Sequence, residues 1–188
     1  VAGAVTVDQA ALTVTASSPT VTYGDAVPAI TPGYSGFVNS ETAAVLDTAP
    51  TCTTTYTDGS PASPPTYPTS CAGGADGNYS FSYVVGAVTV DRAVLAVTAS
   101  SPTVTYGDAV PTITPSYGGF VNGGTAAGLD TAPTCPTTYT DRSPASPPPH
   151  PTSCAGGADR NYHFNLVAGP GAGGQAAPAV TASRPPGN

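Results

Sequence analysis

The sequence contains no lysine, methionine or tryptophan, and only 8% of its 188 residues are charged. Without lysine, the chain cannot form the Lys–Asn isopeptide cross-links that stiffen many extracellular rod proteins. Four arginines stand against eleven acidic residues, for a net charge of −7. We therefore expect no binding to nucleic acid or to anionic membrane surfaces, because both require a surplus of basic side chains.

Long apolar runs are also missing. No stretch of 18 apolar residues is present, so we expect no direct insertion into a membrane. The chain starts at Val1 without a signal-like segment. We expect it to be either a mature product or an excerpt of a longer array.

The sequence contains nearly the same segment twice. Cys52 returns as Cys135, an offset of 83 residues, and at this offset 67 of the 86 residues in 1–86 are identical to those in 84–169. A strict period of this length indicates that each copy is one structural unit. The predicted organisation is an N-terminal orphan strand (1–9), a first domain (10–92), a second domain (93–169) and a low-complexity tail that is the degraded start of a third repeat (170–188).

The local pattern is typical of β-strands. Leu12, Val14 and Ala16 alternate with threonines, as expected for a strand with one buried face. The 22 glycines and 22 prolines would interrupt helices repeatedly, and residues 39–46, capped by Asn39 or Ser40, are the one plausible helical turn. We predict an all-β protein of two small β-sandwich or β-grasp-like domains. Because no flexible linker separates them, we expect an elongated rod.

Four cysteines allow three disulfide pairings. The repeat favours Cys52 with Cys71 and Cys135 with Cys154, because each copy can then close its own bridge. A loop of this length contributes roughly 3 kcal/mol in the chain-entropy model. Disulfides place the protein outside a reducing cytosol, so we expect an extracellular or cell-surface location. A metal site is not expected, because the first copy has no histidine and neither pair has close C-x-x-C spacing.

The sequence offers no catalytic constellation. His150 and His163 are the only histidines, and no nucleophile elbow or positioned triad accompanies the many serines. Asp25 and Asp108 follow a Tyr-Gly pair and are expected to bond to local backbone rather than to calcium. We predict a protein that is not an enzyme and that needs no cofactor or metal.

The segment between the cysteines of each copy is rich in threonine, serine and proline. We expect an extended, solvated loop there, and hydroxyl groups on such a loop are candidates for O-linked sugars. The candidate O-glycosylation sites are Thr53, Thr54, Thr55, Ser60 and Ser63.

Several motifs carry a family resemblance. They are Val-Thr-Tyr-Gly-Asp-Ala-Val-Pro, Ser-Gly-Phe-Val-Asn, Asp-Thr-Ala-Pro-Thr-Cys and Tyr-Pro-Thr-Ser-Cys-Ala-Gly-Gly. In this order they resemble the bacterial MBG repeat of the YGX type, nearly end to end in both copies. The resemblance implies a mostly-β extracellular module without catalytic residues, found in tandem in secreted or surface-attached, adhesin-like proteins. It implies no binding site.

The closing strand of the repeat is distributed unevenly. Residues 84–90 close the first copy, whereas Pro170-Gly-Ala-Gly-Gly174 stands at the equivalent place in the second copy and is unsuited to a strand. Residues 1–8 repeat the closing strand with no domain before it. We predict that this polymerisation strand joins copies of the protein head to tail into a filament. Its residues are Val1, Gly3, Val5 and Val7.

A second hypothesis is an adhesin module within a longer repeat array, which would bind glycan or a host surface. Aromatic rings on loops can stack on sugars, and the candidates are Tyr34, Tyr56 and Tyr67.

Overall fold

The computed structural model describes residues 2–145 and 150–167. Within these residues lie ten strands: β1 (Ala10–Ala16), β2 (Thr20–Thr22), β3 (Pro32–Ser35), β4 (Thr51–Thr54), β5 (Thr66–Ala72), β6 (Tyr79–Val84), β7 (Gly86–Asp91), β8 (Ala93–Ala99), β9 (Pro115–Gly118) and β10 (Tyr162–Val167). The helical segments described are two single 3-10 turns, Ala43–Val45 and Ala126–Gly128. The prediction of an all-β fold in two repeat-like domains is confirmed.

The first repeat contains two sheets, with strand orders β3-β1-β6 and β2-β7-β5-β4. In the first sheet, β1 pairs antiparallel with β3 and parallel with β6. Leu12, Val14 and Ala16 are all buried, as the alternation predicted. Val14 and Ala16 pack with Cys71 of the second sheet, so the two sheets enclose a common core.

Both disulfides are present. Cys52 lies opposite Cys71 in the antiparallel β4–β5 pair, and their Sγ atoms are 2.03 Å apart. Cys135 and Cys154 are bonded at the same separation of 19 residues. The pairing is the one that the repeat spacing favoured, and each bridge ties the two ends of one Thr/Ser/Pro-rich segment.

The second repeat keeps only part of this arrangement. Its described sheet has the order β10-β8-β9, which corresponds to β6-β1-β3 of the first repeat. At the positions of β4 and β5, only isolated bridges are found, Thr134 with Ala155 and Thr137 with Thr152. Strands corresponding to β2 and β7 are absent from the described part of this repeat.

The contacts divide the chain into two compact units that do not follow the repeat boundaries. Unit 1 comprises the chain up to Leu95 together with Gly119–Asp130 and Ala158–His163. Unit 2 comprises Ala96–Gly118, Thr131–Gly157 and the chain from Phe164 onward. Unit 1 thus contains the whole first repeat and three segments of the second, the first of which is residues 93–95.

One expectation is corrected by the structure, and another concerns residues that the structure does not describe. The helical turn is capped by Thr42, not by Asn39 or Ser40, because both of these adopt left-handed φ values of 55° and 61° and form the preceding turn. The tail, residues 170–188, lies outside the described residues.

Candidate functional site

The candidate functional site of this chain is the place in the repeat where the closing strand belongs. In the first repeat, β7 lies between β2 and β5, parallel to the former and antiparallel to the latter. Val88 and Val90 of β7 are 0% and 2% exposed. They form a cluster with Tyr56 and Ala62. One strand therefore supplies both the central ladder of the sheet and two side chains of the core.

Gly86 shows how closely this strand is seated. A Cβ at this position would lie 2.5 Å from Ser18 Oγ, 2.6 Å from the Ala16 carbonyl oxygen and 2.7 Å from Thr69 Oγ1. The Ala87 N–H donates to the same Ser18 Oγ at 3.1 Å. No side chain fits here, so glycine is required by contact rather than by backbone conformation.

The same surface in the second repeat forms a groove that no strand of residues 2–145 and 150–167 fills. It encloses a cavity of about 260 Å³, below the roughly 300–1,000 Å³ of common small-molecule pockets. Its lining corresponds residue by residue to the side chains around β7, offset by 83. The apolar and aromatic members are Val104, Tyr106, Ile113, Tyr139, Ala145 and His150. Among the described residues, no strand occupies this groove, and two of its members are correspondingly exposed: Tyr106 is 67% exposed, and Ala145 is exposed whereas Ala62 is buried.

His150 is the one change of chemistry in the groove. Its counterpart, Tyr67, donates its hydroxyl to the Pro61 carbonyl at 2.6 Å and packs edge-on against Tyr56. His150 keeps the edge-on contact with Tyr139, but its Nε2 is buried without a hydrogen-bond partner in the described structure. At this position the groove therefore has a buried nitrogen without a hydrogen bond, whereas the first repeat has the hydrogen bond of the Tyr67 hydroxyl.

The N-terminal segment is the other half of the candidate site. Residues 2–9 belong to no strand and are exposed, with Val5 at 91% and Val7 at 88%. A Cβ at Gly3 would meet no atom within 4 Å. The run Gly-Ala-Val-Thr-Val-Asp at 3–8 is identical to β7. Val1, the remaining residue of the predicted polymerisation strand, lies outside the described residues.

The glycan-stacking hypothesis does not agree with the structure. Tyr56 is 2% exposed, and its hydroxyl donates to the Asp25 carbonyl at 2.8 Å. Burial first, and the nearby Asp25 second, raise the pKa of Tyr56. Tyr67 lies in β5 against Tyr56, and Tyr34 lies in β3 against Phe37. Tyr56 lies in the loop between β4 and β5, as predicted, but its ring is core. Tyr34 and Tyr67 are half-buried on strands, so the prediction that they stand on loops is wrong for these two.

The candidate O-glycosylation sites fall into two groups, one hydrogen-bonded within the fold and one exposed. Ser60 is buried at 7% exposure, and its Oγ accepts from the Thr57 N–H. Thr54 Oγ1 donates to the Pro68 carbonyl and accepts from the Tyr56 N–H. Both hydroxyls make structural hydrogen bonds, which disfavours them as sugar acceptors. Thr53, Thr55 and Ser63 are exposed.

Asp25 and Asp108 do bond to local backbone. Asp25 Oδ2 accepts from the Thr22 N–H at 2.7 Å, and Asp108 Oδ2 accepts from the Thr105 N–H at the same distance. The described residues contain no group of three or more potential metal ligands. They also contain no helix long and apolar enough to cross a membrane.

These features define a tandem array of small, disulfide-bonded all-β modules. A family model of the MBG domain (YGX type) matches residues 12–89 and again residues 95–170. The chain therefore belongs to the MBG domain family of the YGX type, with two consecutive copies. No curated protein and no solved structure matches the chain.

Proposed function

We propose that this protein is a non-enzymatic structural subunit of a filament on the bacterial surface, assembled head to tail by strand donation. Residues 3–8 of one copy insert into the groove of the second repeat of another copy. They take the place that β7 has in the first repeat. The two disulfides and the family membership support an extracellular location.

The open groove is the observation that carries this proposal. It has the lining that holds Val88 and Val90 in the first repeat, and residues 3–8 have the sequence of the strand that fits it. In the register of β7, Val5 would lie opposite His150, as Val88 lies opposite Tyr67. Val7 would lie beside Val104, as Val90 lies beside Val21. Gly3 would lie at Thr152 and Ser101, where only glycine fits.

The chain offers no equally good strand of its own for this groove. Gly171 and Gly173 stand where the first repeat has Val88 and Val90, and glycine has no side chain to fill the cavity. A donated strand satisfies the backbone groups of the groove and its two apolar positions together. Because the donor and the groove are different surfaces, the contact is heterologous and propagates into an open filament.

The experiment uses the full chain with Val5→Asp and Val7→Asp, which cannot donate but keeps its groove. A peptide of residues 1–9 is added, and a peptide carrying the same two aspartates serves as the matched control. We expect the unaltered peptide to protect the amides of Val104 and Tyr106 from hydrogen exchange, because the N–H of Tyr23, the counterpart of Tyr106, donates to the Asp91 carbonyl of β7 at 2.8 Å. The wild-type chain should form filaments visible by electron microscopy, and the variant chain should remain monomeric.

Two results would overturn strand donation. One is a variant chain that forms the same filaments as the wild type. The other is equal protection of the groove amides by both peptides, or by neither, since the valines would then make no difference.

A further inference from the structure

We propose that a second contact joins neighbouring copies: the loop at Gly107, Asp141 and Arg142 of one copy binds the loop at Val38, Asn39 and Glu41 of the next. This inference rests on the proposed strand donation. It identifies a further interaction surface, outside the groove, whose partner is another copy of this chain.

The contact is already present once inside unit 1. There, the first-repeat loops at Gly24 and Asp58 meet the second-repeat loop at Val121 and Asn122. Asn122 Nδ2 donates to the Asp58 carbonyl at 2.8 Å. A Cβ at Gly24 would lie 2.7 Å from Val121 Cγ2, so the two backbones approach closely.

Two further contacts complete this internal junction. The Ala62 N–H donates to Asn161 Oδ1 at 3.0 Å. Tyr23 packs edge-on against Tyr162, with ring centroids 5.6 Å apart. The internal junction thus combines two hydrogen bonds, an aromatic pair and one glycine-to-valine contact, all between loops that flank β7.

Both halves of this junction recur at the free positions of the chain. The counterparts on the groove side are Tyr106, Gly107, Asp141 and Ala145, and those on the other side are Val38, Asn39, Asn78 and Tyr79. Every one is identical to its internal equivalent. Yet Tyr106 is 67% and Val38 is 47% exposed, and a Cβ at Gly107 would meet nothing within 4 Å.

The free loops already have the shape that the internal junction uses. Gly24 and Gly107 share a φ of 92°. Asn122 and Asn39 have φ values of 52° and 55°. Binding therefore requires little reorganisation of either backbone, which reduces its entropic cost.

Strand donation would bring these loops of two copies together in the arrangement that the internal junction has. In the chain, β7 continues through the single residue Arg92 into β8. A donated strand would continue through the single residue Gln9 into β1. The same strand in the same groove, followed by a link of the same length, places the next repeat as the internal junction does.

One pair of residues adapts the free junction to contact between copies. Gly59 and Gly124 at the internal junction are replaced by Arg142 and Glu41. Arg142 follows Asp141 directly and is exposed, and Glu41 lies two residues beyond Asn39. Arg142 and Glu41 thus place one positive and one negative charge where the internal junction has two glycines.

Charge reversal tests this contact. Arg142→Glu and Glu41→Arg are made singly and together in the full chain, and the critical concentration for filament formation is measured at low salt. Each single reversal places like charges together and is expected to raise the critical concentration about tenfold. The double variant restores an opposite pair and is expected to return to within about threefold of the wild type.

Two controls separate this contact from the folding of the loop and from strand donation. Glu41 accepts a hydrogen bond from the Tyr79 hydroxyl at 2.6 Å, so Glu41→Gln keeps an acceptor while removing the charge, and it should raise the critical concentration by only a few-fold. Arg142 does not line the groove, so capture of the peptide of residues 1–9 should be unchanged in Arg142→Glu.

The outcomes are distinguishable. Single reversals that assemble like the wild type, or a double variant no better than the worse single one, would overturn the second contact and leave strand donation standing. Failure of the unaltered groove to capture the peptide would overturn strand donation, and the second contact with it.

Discussion

The two repeats have nearly the same sequence, the same disulfide and the same β3-β1-β6 type of sheet, but they differ in the second sheet as far as the structure describes it. The first repeat contains β7 and forms a four-stranded second sheet around it. The second repeat has no described equivalent of β7, and its counterparts of β4 and β5 meet only at isolated bridges. The lining residues are thus nearly the same in both repeats, whereas continuous ladders are described only where β7 is present.

Aspartate substitutions at Val88 and at Val5 are expected to give the largest difference in stability between the two equivalent strands. Val88→Asp places a carboxylate in a fully buried site and should destabilise the first repeat by roughly 3 kcal/mol or more. Val5→Asp changes a residue that is 91% exposed and should leave the unfolding midpoint of the monomer unchanged, while it abolishes assembly. Chemical denaturation of the two variants measures the first effect, and sedimentation measures the second.

A large loss of monomer stability in Val5→Asp would contradict this comparison, because residues 2–9 would then be part of the folded chain and unavailable for donation.

Alanine substitutions at Gly86 and at Gly3 are expected to give a difference in stability of intermediate size. Gly86→Ala introduces a Cβ within 2.7 Å of three polar atoms and should cost about 1–3 kcal/mol of stability, as overpacking usually does. Gly3→Ala has open space in the monomer and should not lower its stability. In the groove, however, it would meet Ser101 and Thr152 and should prevent donation.

Thermal unfolding and filament yield are measured for both alanine variants. If Gly3→Ala chains assembled as the wild type does, the donated strand would not follow the register of β7.

His150 gives the smallest effect. His150→Tyr restores the residue found in the first repeat, where its hydroxyl donates to a proline carbonyl at 2.6 Å. The variant removes the unpaired Nε2 and gains one hydrogen bond to Pro144, so it should stabilise the second repeat by about 1 kcal/mol. Hydrogen exchange at Thr138 and Ser153, whose amides bond across the bridge between Thr137 and Thr152, measures this stability locally. Faster exchange in the variant would show that His150 does not have the place in the second repeat that Tyr67 has in the first.

Short-range patterns account for what could be predicted from the sequence. The alternation at Leu12, Val14 and Ala16 indicated a half-buried strand, and the offset of the cysteines indicated their pairing. The first signal arises within one strand and the second from comparing the two repeats, and both depend on spacing alone. The replacement of two valines by glycines also predicts that residues 170–174 do not form a closing strand, and these residues lie outside the described part of the chain.

Long-range contacts account for what was not predicted. A Thr/Ser/Pro-rich composition indicated a solvated loop, yet Tyr56 and Ser60 are buried there. Tyr56 is held by the Asp25 carbonyl, 31 residues away, and no local pattern specifies that distance. The lining of the groove at Ile113, Tyr139 and His150 was missed for the same reason, although aligning it with the residues around Val88 would have located it.

The continuity of β7 with β8 has a mechanical consequence. Arg92 is the only residue between the two strands, so a pull that is transmitted through the chain enters the first repeat at the C-terminal end of β7, and its component along the strand acts on β7. β7 is hydrogen-bonded on one side to β2 and on the other to β5. A force in this direction shears both ladders at once instead of opening them one bond at a time. Tension is therefore carried by the strand that completes the sheet, and resistance to it is set by the rate of unfolding rather than by equilibrium stability.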